Sequence, residues 1–475
     1  MLVRVRLATD DGLEDDTAVL LCHLLAIYYE MEWMKMLRFI NLKNYRSFTD
    51  LSFDMTGKSG KPKSMIILYG ENGAGKTNLV NVLDTLYATF NTLSLREYVM
   101  SLLEQRQDPM EQDKKTLIYS LFDISHIIRE NKTIGSNDNM SIEIGFCING
   151  KNGIYYIEFD NEQIVGERLE YVYKKNKITF FDIRSGNAKI NPQVFSGEYL
   201  AELGIKKEKY WGKHSIMAIL FNALNEYSED YIGRSFGRAL MEALDYFHDF
   251  TVYLVKNKSR KEIIRTPDSM LEDFDEGEID ESGEEIIHQT ERILSIYFHQ
   301  IYKDINRVFY RIEKSESKLK YCLYFERMIS GKPVEVRYNE ESCGTRNLLS
   351  LLPYFIASIN GRVVAIDEID NGIHDMLLKN LIVNLFKNID GQLILTTHNT
   401  MFIDEYDYKD SIYFLIVSKE GSKEIKSIND FGYRIQPNSN VMANYLKGKF
   451  VELPWNGMNV DFESLNNLEH SYSAH

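Results

Sequence analysis

The sequence predicts an α/β fold: a mixed central sheet with helices, an antiparallel β-subdomain and a compact helical insertion. Residues 70–77 fit the pattern G-x-x-x-x-G-K-[ST] and lie between an apolar run at 65–69 and a helix-periodic segment. Residues 363–366 and 393–395 are unbroken apolar runs, which are typical of parallel strands buried on both faces. Residues 141–183 contain short alternating runs broken by Asn-Gly and Lys-Asn turns, and this pattern indicates antiparallel hairpins.

The segment at 70–77 predicts a phosphate-binding loop. Its glycines let the backbone curl so that successive amides point inward at phosphate oxygens, and the positive end of the following helix adds to that field. Lys76 would reach the β- and γ-phosphates, and the Thr77 hydroxyl would ligate Mg²⁺. The nucleotide-binding residues expected here are Gly70, Asn72, Gly73, Gly75, Lys76, Thr77 and Asn78.

Helical spacing dominates the middle of the chain, over residues 196–316, and includes Ile301, Ile305, Val308 and Ile312. We therefore expect a helical insertion there. Within it, residues 272–281 are strongly acidic but lack the spacing of a calcium loop, so a mobile acidic loop is the interpretation. Two basic runs, 206–209 and 256–261, are interpreted as solvated faces, with phosphate binding as the alternative.

The run 362–368 is a buried strand that delivers two carboxylates to its C-terminal end, where ligands bind in open α/β sheets. This pattern predicts a Walker B motif. Asp367 would hold Mg²⁺, directly or through water, and Glu368 would polarise the water that attacks the γ-phosphate. The next predicted strand also ends in polar groups, Thr396-Thr397-His398, and His398 can reach a γ-phosphate.

A Ser-x-Gly turn precedes the Walker B strand, at Ser342-Cys343-Gly344, and a helix-like segment follows it. The turn offers a hydroxyl and free amides to an anion, while the simpler alternative is a helix N-cap.

In this order along the chain, the motifs resemble those of ATP-binding-cassette (ABC) ATPases. The resemblance is to the overcoming-lysogenisation-defect (OLD), Rad50 and SMC-like branch, specifically the AAA15 and AAA21 ATPases of bacterial phage-defence operons. The segments that carry it are residues 41–48, 70–78, 341–346, 367–374, 396–399 and a tail at 444–454.

The resemblance implies roles for several residues. His398 would be the switch histidine, and Asp370 the D-loop aspartate that couples two sites. Ser342 and Gly344 would belong to the signature motif that contacts ATP on a partner subunit, so the active species would be a homo-oligomer, at least a dimer closed through an ATP sandwich. The sequence departs from the family pattern in two ways: Cys343 lies where an acidic or polar residue is usual, and no Q-loop residue can be assigned among Gln105, Gln107 and Gln112.

Four segments are expected. Residues 1–33 form an N-terminal extension, with Met34 or Met36 as an alternative start. Residues 34–195 form the first ATPase lobe with Walker A and the β-subdomain, 196–316 the helical insertion, and 317–475 the second lobe with signature, Walker B and switch histidine. The spacing between Lys76 and Ser342 is too short for the long coiled coil of true SMC or Rad50 proteins, because the β-rich lobe uses much of it, so the insertion is expected to be compact.

Composition and charge restrict the cellular compartment and the kinds of partner expected for this chain. The four cysteines, Cys22, Cys147, Cys322 and Cys343, contain no C-x-x-C pair, so a reducing cytoplasm is expected and a disulfide framework is not. The apolar run at 18–29 is too short for a membrane helix, and acidic residues precede it where a secretory signal has a basic region. A net charge of −15 argues against a chain that coats DNA, although a local basic groove stays open.

The leading hypothesis is a sensor ATPase in anti-phage defence. The residues after His398 are too few for an appended TOPRIM nuclease and contain no H-N-H pattern, so a separate nuclease or toxin effector is expected. The resemblance suggests the ATPase component of a system such as PARIS, Septu or AbiL. The alternative is a RecF-like DNA-repair ATPase that clamps duplex DNA. A transporter subunit is disfavoured by the signature sequence and the insertion.

Overall fold

The computed structural model describes residues 34–105, 122–184, 186–254, 270–315, 317–403 and 406–431, and all of them belong to one compact unit. Several predictions concern residues outside these ranges: the extension at 1–33, the basic run at 256–261, Gln107, Gln112 and the tail at 444–454, together with the side chain of Gln105.

The described strands, in chain order, are β1 (Lys35–Tyr45), β2 (Phe48–Asp54), β3 (Met65–Gly70), β4 (Met140–Ile148), β5 (Lys151–Phe159), β6 (Ile164–Tyr173), β7 (Asn176–Arg184), β8 (Asn187–Ile190), β9 (Thr251–Tyr253), β10 (Glu276–Asp280), β11 (Ile305–Ser315), β12 (Lys318–Ile329), β13 (Lys332–Arg337), β14 (Val363–Ile366), β15 (Gln392–Thr396), β16 (Ile412–Val417) and β17 (Lys423–Ser427). The described helices are α1 (Lys76–Gln105), α2 (Ile124–Asn131), α3 (Gly197–Tyr210), α4 (Ile216–Glu226), α5 (Glu229–Ser235), α6 (Arg238–His248), α7 (Glu284–Ile301), α8 (Cys343–Ile359) and α9 (Asp375–Phe386).

The central sheet has the strand order β17-β16-β3-β15-β14-β9. Its pairs are parallel except for β17 with β16, and β3, β14 and β15 are buried along their whole length. This confirms the prediction of parallel strands from the unbroken apolar runs. Because β3, β14 and β15 are parallel neighbours, the residues that follow Gly70, Ile366 and Thr396 meet at one edge of the sheet.

A second sheet of seven antiparallel strands has the order β2-β1-β4-β5-β6-β7-β8, and it confirms the predicted hairpins. The β4–β5 turn is Asn149-Gly150, with φ of 49° and 77°, a conformation that Asn and Gly adopt at low cost. Helix α1 packs on this sheet: the Phe90 ring lies 5.4 Å from Tyr155 of β5 and 5.5 Å from Phe247 of α6.

One side chain links the two sheets. Gln392, at the start of β15, is fully buried. Its Oε1 accepts from the Leu37 amide of β1 at 2.8 Å, and its Nε2 donates to the carbonyls of Leu37 at 3.0 Å and Lys63 at 2.8 Å. A buried amide satisfied at both ends fixes the antiparallel sheet against the strand that leads to His398.

The third sheet corrects two expectations. Helix α7 ends at Ile301, and residues 305–315 form β11, so the helical spacing through Ile312 misled the prediction. Val308 and Tyr310 pair with Phe325 and Leu323 of β12 and face the core. The apolar residues of this segment match both the alternation of a strand and the spacing of a helix, so the sequence alone did not distinguish the two.

The acidic run is likewise ordered in part. Glu276–Asp280 form β10, which pairs antiparallel with β12, and Glu278 forms a 2.9 Å ion pair with Lys318. The mobile-loop interpretation is therefore wrong for these five residues. Cross-strand lysines supply the counter-charge that makes an acidic strand tolerable.

The predicted insertion is helical from α3 to α6, but β9 then enters the central sheet beside β14. The division of the chain at residues 195 and 316 stays a prediction. No helix in the described ranges combines the length and apolar character that a bilayer crossing requires.

Candidate functional site

The phosphate-binding loop connects β3 to α1, as the sequence predicts. Gly73 and Gly75 have φ of 81° and 117°, which only glycine adopts without strain. Gly70 is constrained by space, because a β-carbon there would lie 3.0 Å from the Leu415 carbonyl of β16. The glycine spacing of the motif therefore matches backbone requirements at these three positions.

Lys76 is buried at the first position of α1, and its Nζ donates to the carbonyls of Gly70 at 2.8 Å and Glu71 at 3.2 Å. Burial lowers the pKa of Lys76, while the nearby carboxylates of Asp367, Glu368 and Asp370 act in the opposite direction. Among the described residues, the ammonium thus lies near acidic groups and donates to neutral carbonyls of its own loop.

The two carboxylates after β14 are held by the neighbouring strand. Thr396 Oγ1 donates to Asp367 Oδ1 at 2.6 Å and accepts from the Glu368 amide at 2.8 Å. Asp367 is 2% exposed, whereas Glu368 is partly exposed and has a φ of 49°. A left-handed glutamate costs about 1–3 kcal/mol and is found mainly where the surrounding structure fixes a functional group.

The residues present fit a magnesium ion bound together with nucleotide phosphates. Thr77 and Asp367 would supply a hydroxyl and a carboxylate, the hard oxygen ligands that Mg²⁺ prefers. In the described part of the chain, no cluster of three His, Cys, Asp or Glu residues could hold a metal by itself.

His398 follows β15 and is exposed. Its backbone amide donates to Asp370 Oδ2 at 3.0 Å, which ties the strand end to the loop after Walker B. Partial burial and the charge of Lys76 lower the pKa of His398 below its ordinary value, which favours the neutral imidazole. A neutral ring can donate one hydrogen bond from the nitrogen that keeps its proton.

These groups surround one cavity of about 600 Å³. Its lining residues are Arg46, Glu71, Asn72, Gly73, Gly75, Lys76, Thr77, Asn78, Asn81, Leu254, Glu368 and His398. Most of the residues expected around the nucleotide therefore lie together. Asp367 and Asp370 are not among the lining residues. Asp367 accepts from the Thr396 hydroxyl, and Asp370 accepts from the His398 amide.

Sequence reasoning did not assign site roles to Arg46, Asn81 or Leu254. Arg46 lies in the tight turn between β1 and β2, with a φ of 49°, and its Nε donates to Asn131 Oδ1 at 2.7 Å. Asn81 follows Thr77 by one turn of α1, so the two residues lie on the same face of the helix. A helical projection of the segment after the loop could therefore have placed Asn81 at the cavity. Leu254 directly follows β9, and no local pattern predicts that this strand lies beside β14.

Ser342 and Gly344 lie outside this cavity, at the start of α8. Ser342 is exposed and caps the helix, since its Oγ accepts from the Thr345 amide at 3.2 Å. A β-carbon on Gly344 would lie 2.8 Å from the Gly372 carbonyl. Asn347 Nδ2 donates to the Asn371 carbonyl at 2.7 Å, so the turn is fastened to the loop after Walker B in the same chain.

Comparisons with known proteins agree with this arrangement. The family model described as "AAA domain, putative AbiEii toxin, Type IV TA system" matches residues 65–404, more than half of the chain. No curated protein matches.

Among solved structures, an SMC head bound to the C-terminal winged-helix domain of ScpA is 14% identical, covers 83% of this chain and 98% of its own, and has a TM-score of 0.40. The SMC head domain from Thermotoga maritima is 12% identical, with coverage of 83% and 99% and a TM-score of 0.35. Because these scores are low, the assignment rests on the family match, the sheet order and the motifs. The loop between β3 and α1, at the edge of a largely parallel sheet, has the arrangement of a P-loop fold. The chain belongs to the AAA-domain family described above.

Proposed function

We propose that the chain binds and hydrolyses ATP with Mg²⁺, as a sensor ATPase that assembles through ATP-sandwiched heads. In this proposal it controls a separate nuclease or toxin effector in anti-phage defence in the cytoplasm. The observation that carries the ATPase proposal is the meeting of three strand ends, after Gly70, Ile366 and Thr396, around one cavity. The family description, which names a toxin of a toxin–antitoxin system, supports the defence setting.

Each residue of the site has a proposed role in ATP hydrolysis. Lys76 exchanges its two loop carbonyls for β- and γ-phosphate oxygens, and Thr77 and Asp367 hold Mg²⁺, which neutralises phosphate charge. Glu368, fixed by the Thr396 hydroxyl, orients and polarises the attacking water. His398 donates a hydrogen bond from an imidazole nitrogen to the γ-phosphate.

Two substitutions test the ATPase proposal. Lys76→Ala should abolish nucleotide binding, whereas Glu368→Gln should bind ATP but lower turnover by about 10²–10⁴-fold, the usual contribution of a positioned base. Lys61→Ala, at an exposed site, is the matched control and should behave as wild type. Normal turnover in both Lys76→Ala and Glu368→Gln would refute the mechanism.

Assembly can be followed through Cys343. This thiol is exposed at the start of α8, beside Ser342, while Cys147 is buried. If a partner head closes over the turn, ATP should protect Cys343 from iodoacetamide in the Glu368→Gln variant. The partly exposed Cys322 serves as the internal reference and should keep its labelling rate. Equal labelling of Cys343 with and without ATP would count against the sandwich.

The effector proposal needs a partner. Tagged Glu368→Gln, purified with ATP from a host that carries the native operon, should bring a stoichiometric nuclease or toxin identified by mass spectrometry. Recovery of only DNA and repair proteins would favour the RecF-like alternative, in which ATP-dependent DNA binding falls steeply with salt.

A further inference from the structure

Lys423 brings a second cation to the phosphate-binding loop from the far end of the described chain. It is the first residue of β17, which pairs with β16, the strand beside β3. A β-carbon placed on Gly75 would lie 3.3 Å from Lys423 Nζ, 3.0 Å from Ser47 Oγ and 3.1 Å from the Phe48 ring. The ammonium therefore lies against the glycine that precedes Lys76.

This ammonium has no hydrogen-bond or ion-pair partner among the described residues, although it is half-buried. It lies over the Phe48 ring, whose centroid is 5.3 Å from Nζ. Burial alone lowers the pKa of Lys423, with no carboxylate acting against it. Lys426 on the opposite face of β17 differs, because it pairs with Glu424 at 2.6 Å. A partly buried cation without an anion among the described residues is available to a negatively charged ligand.

The residues around Lys423 indicate which phosphate of a nucleotide would pair with its ammonium. Asn78 Nδ2 donates to Ser47 Oγ at 2.8 Å, so the group around Gly75 extends toward the residues just after Thr77. In phosphate-binding loops the backbone amides hold the α- and β-phosphates, whereas the loop lysine reaches the β- and γ-phosphates. Because Gly75 belongs to the part of the loop that carries these amides, a cation beside it would serve the phosphates that ADP and ATP share.

We propose that Lys423 is a nucleotide-binding residue whose Nζ contacts an oxygen of the α- or β-phosphate. The inference rests on the proposed ATP binding and deepens it, because it makes β17 part of the nucleotide site. It also gives the two cations different roles, since Lys76 serves the end of the triphosphate that reacts and Lys423 serves the part that remains after hydrolysis.

The test measures binding of Mg·ADP and Mg·ATP by calorimetry. Lys423→Met keeps the apolar stem against Phe48 and removes the charge, and it should weaken both nucleotides by about tenfold and to the same extent. Lys423→Arg should restore most of the affinity. Lys426→Met removes a charge from the same strand and should leave both affinities unchanged, with circular dichroism confirming that each variant is folded.

Three outcomes would overturn the inference. Wild-type affinity in Lys423→Met, beside a Lys76→Ala variant that binds neither nucleotide, would reject Lys423 alone and leave the proposed function standing. An equal loss in Lys426→Met would reject a specific contact. A wild-type chain that binds neither nucleotide would reject the proposed function and this inference with it.

Discussion

The buried ion pair below the signature turn gives the sharpest prediction about stability. Arg327 of β12 donates to both carboxylate oxygens of Glu341, at 2.6 and 2.8 Å, and Glu341 directly precedes Ser342. The same guanidinium donates to Asp304 at 2.5 Å and to the Thr345 hydroxyl at 3.4 Å. The hydrogen bonds to Glu341 are the main reason that the pKa of Arg327 is raised. This single side chain thus fixes the start of α8 to the third sheet.

The loss of folding stability expected for Arg327→Met follows from the burial of Glu341. The Glu341 side chain is 3% exposed, so removing the cation leaves a buried carboxylate without a partner, which costs about 3–5 kcal/mol. The Asp304 contact adds at most about 1 kcal/mol, because that carboxylate is 48% exposed. Replacing both partners by apolar residues removes the uncompensated charge. Arg327→Met/Glu341→Leu should therefore be more stable than Arg327→Met by about 2 kcal/mol or more.

Urea unfolding followed by circular dichroism measures these differences as a double-mutant cycle. Arg311→Met is the matched control: it breaks the exposed pair with Glu335 in the same sheet and should lower stability far less than Arg327→Met does. ATP turnover should fall in Arg327→Met, because the turn that begins at Ser342 loses its anchor. Additive costs in the double variant would refute the reasoning, since the two residues would then not depend on each other.

Two further predictions concern buried groups. Thr396→Val removes the hydroxyl that bonds Asp367 and the Glu368 amide; we expect ATP turnover to fall about tenfold or more in single-turnover assays while ATP still binds, and unchanged turnover would contradict this. Burial raises the pKa of Glu167 from 4.5 to about 7, so the folded chain keeps a proton that the unfolded chain releases. Stability should therefore fall by up to about 3 kcal/mol as pH rises from about 4.5 to 7, and Glu167→Gln should lack that slope in urea titrations; equal slopes would show that Glu167 is not the titrating group.

Local patterns predicted the central parallel strands, and the sheet edge at which they end, well. A run of buried β-branched and leucine side chains followed by polar residues is typical of a parallel strand. The carboxyl end of such a strand lies at the edge of the sheet where ligands bind. The loop at 70–77 and the strands that end at Ile366 and Thr396 follow this rule, and the structure brings them together.

Prediction was poorer where two periodicities overlap. Residues 305, 308 and 312 match helical spacing, while 308, 310 and 312 match a strand, and the partner strand β12 decided between them. The acidic run at 276–280 became a strand for a similar reason, because lysines of β12 lie opposite its carboxylates. Neither partner can be identified from the run itself.

The sequence by itself determined the chemistry of the site, because the phosphate-binding loop and the carboxylates at a strand end are encoded within a few consecutive residues. Tertiary structure alone decided what surrounds that chemistry. Thr396 clamps Asp367, Arg327 anchors Glu341, and Lys423 reaches Gly75, each from another strand or sheet. Such contacts depend on strand order and register, which arise from packing of the whole core and leave no local pattern in the chain.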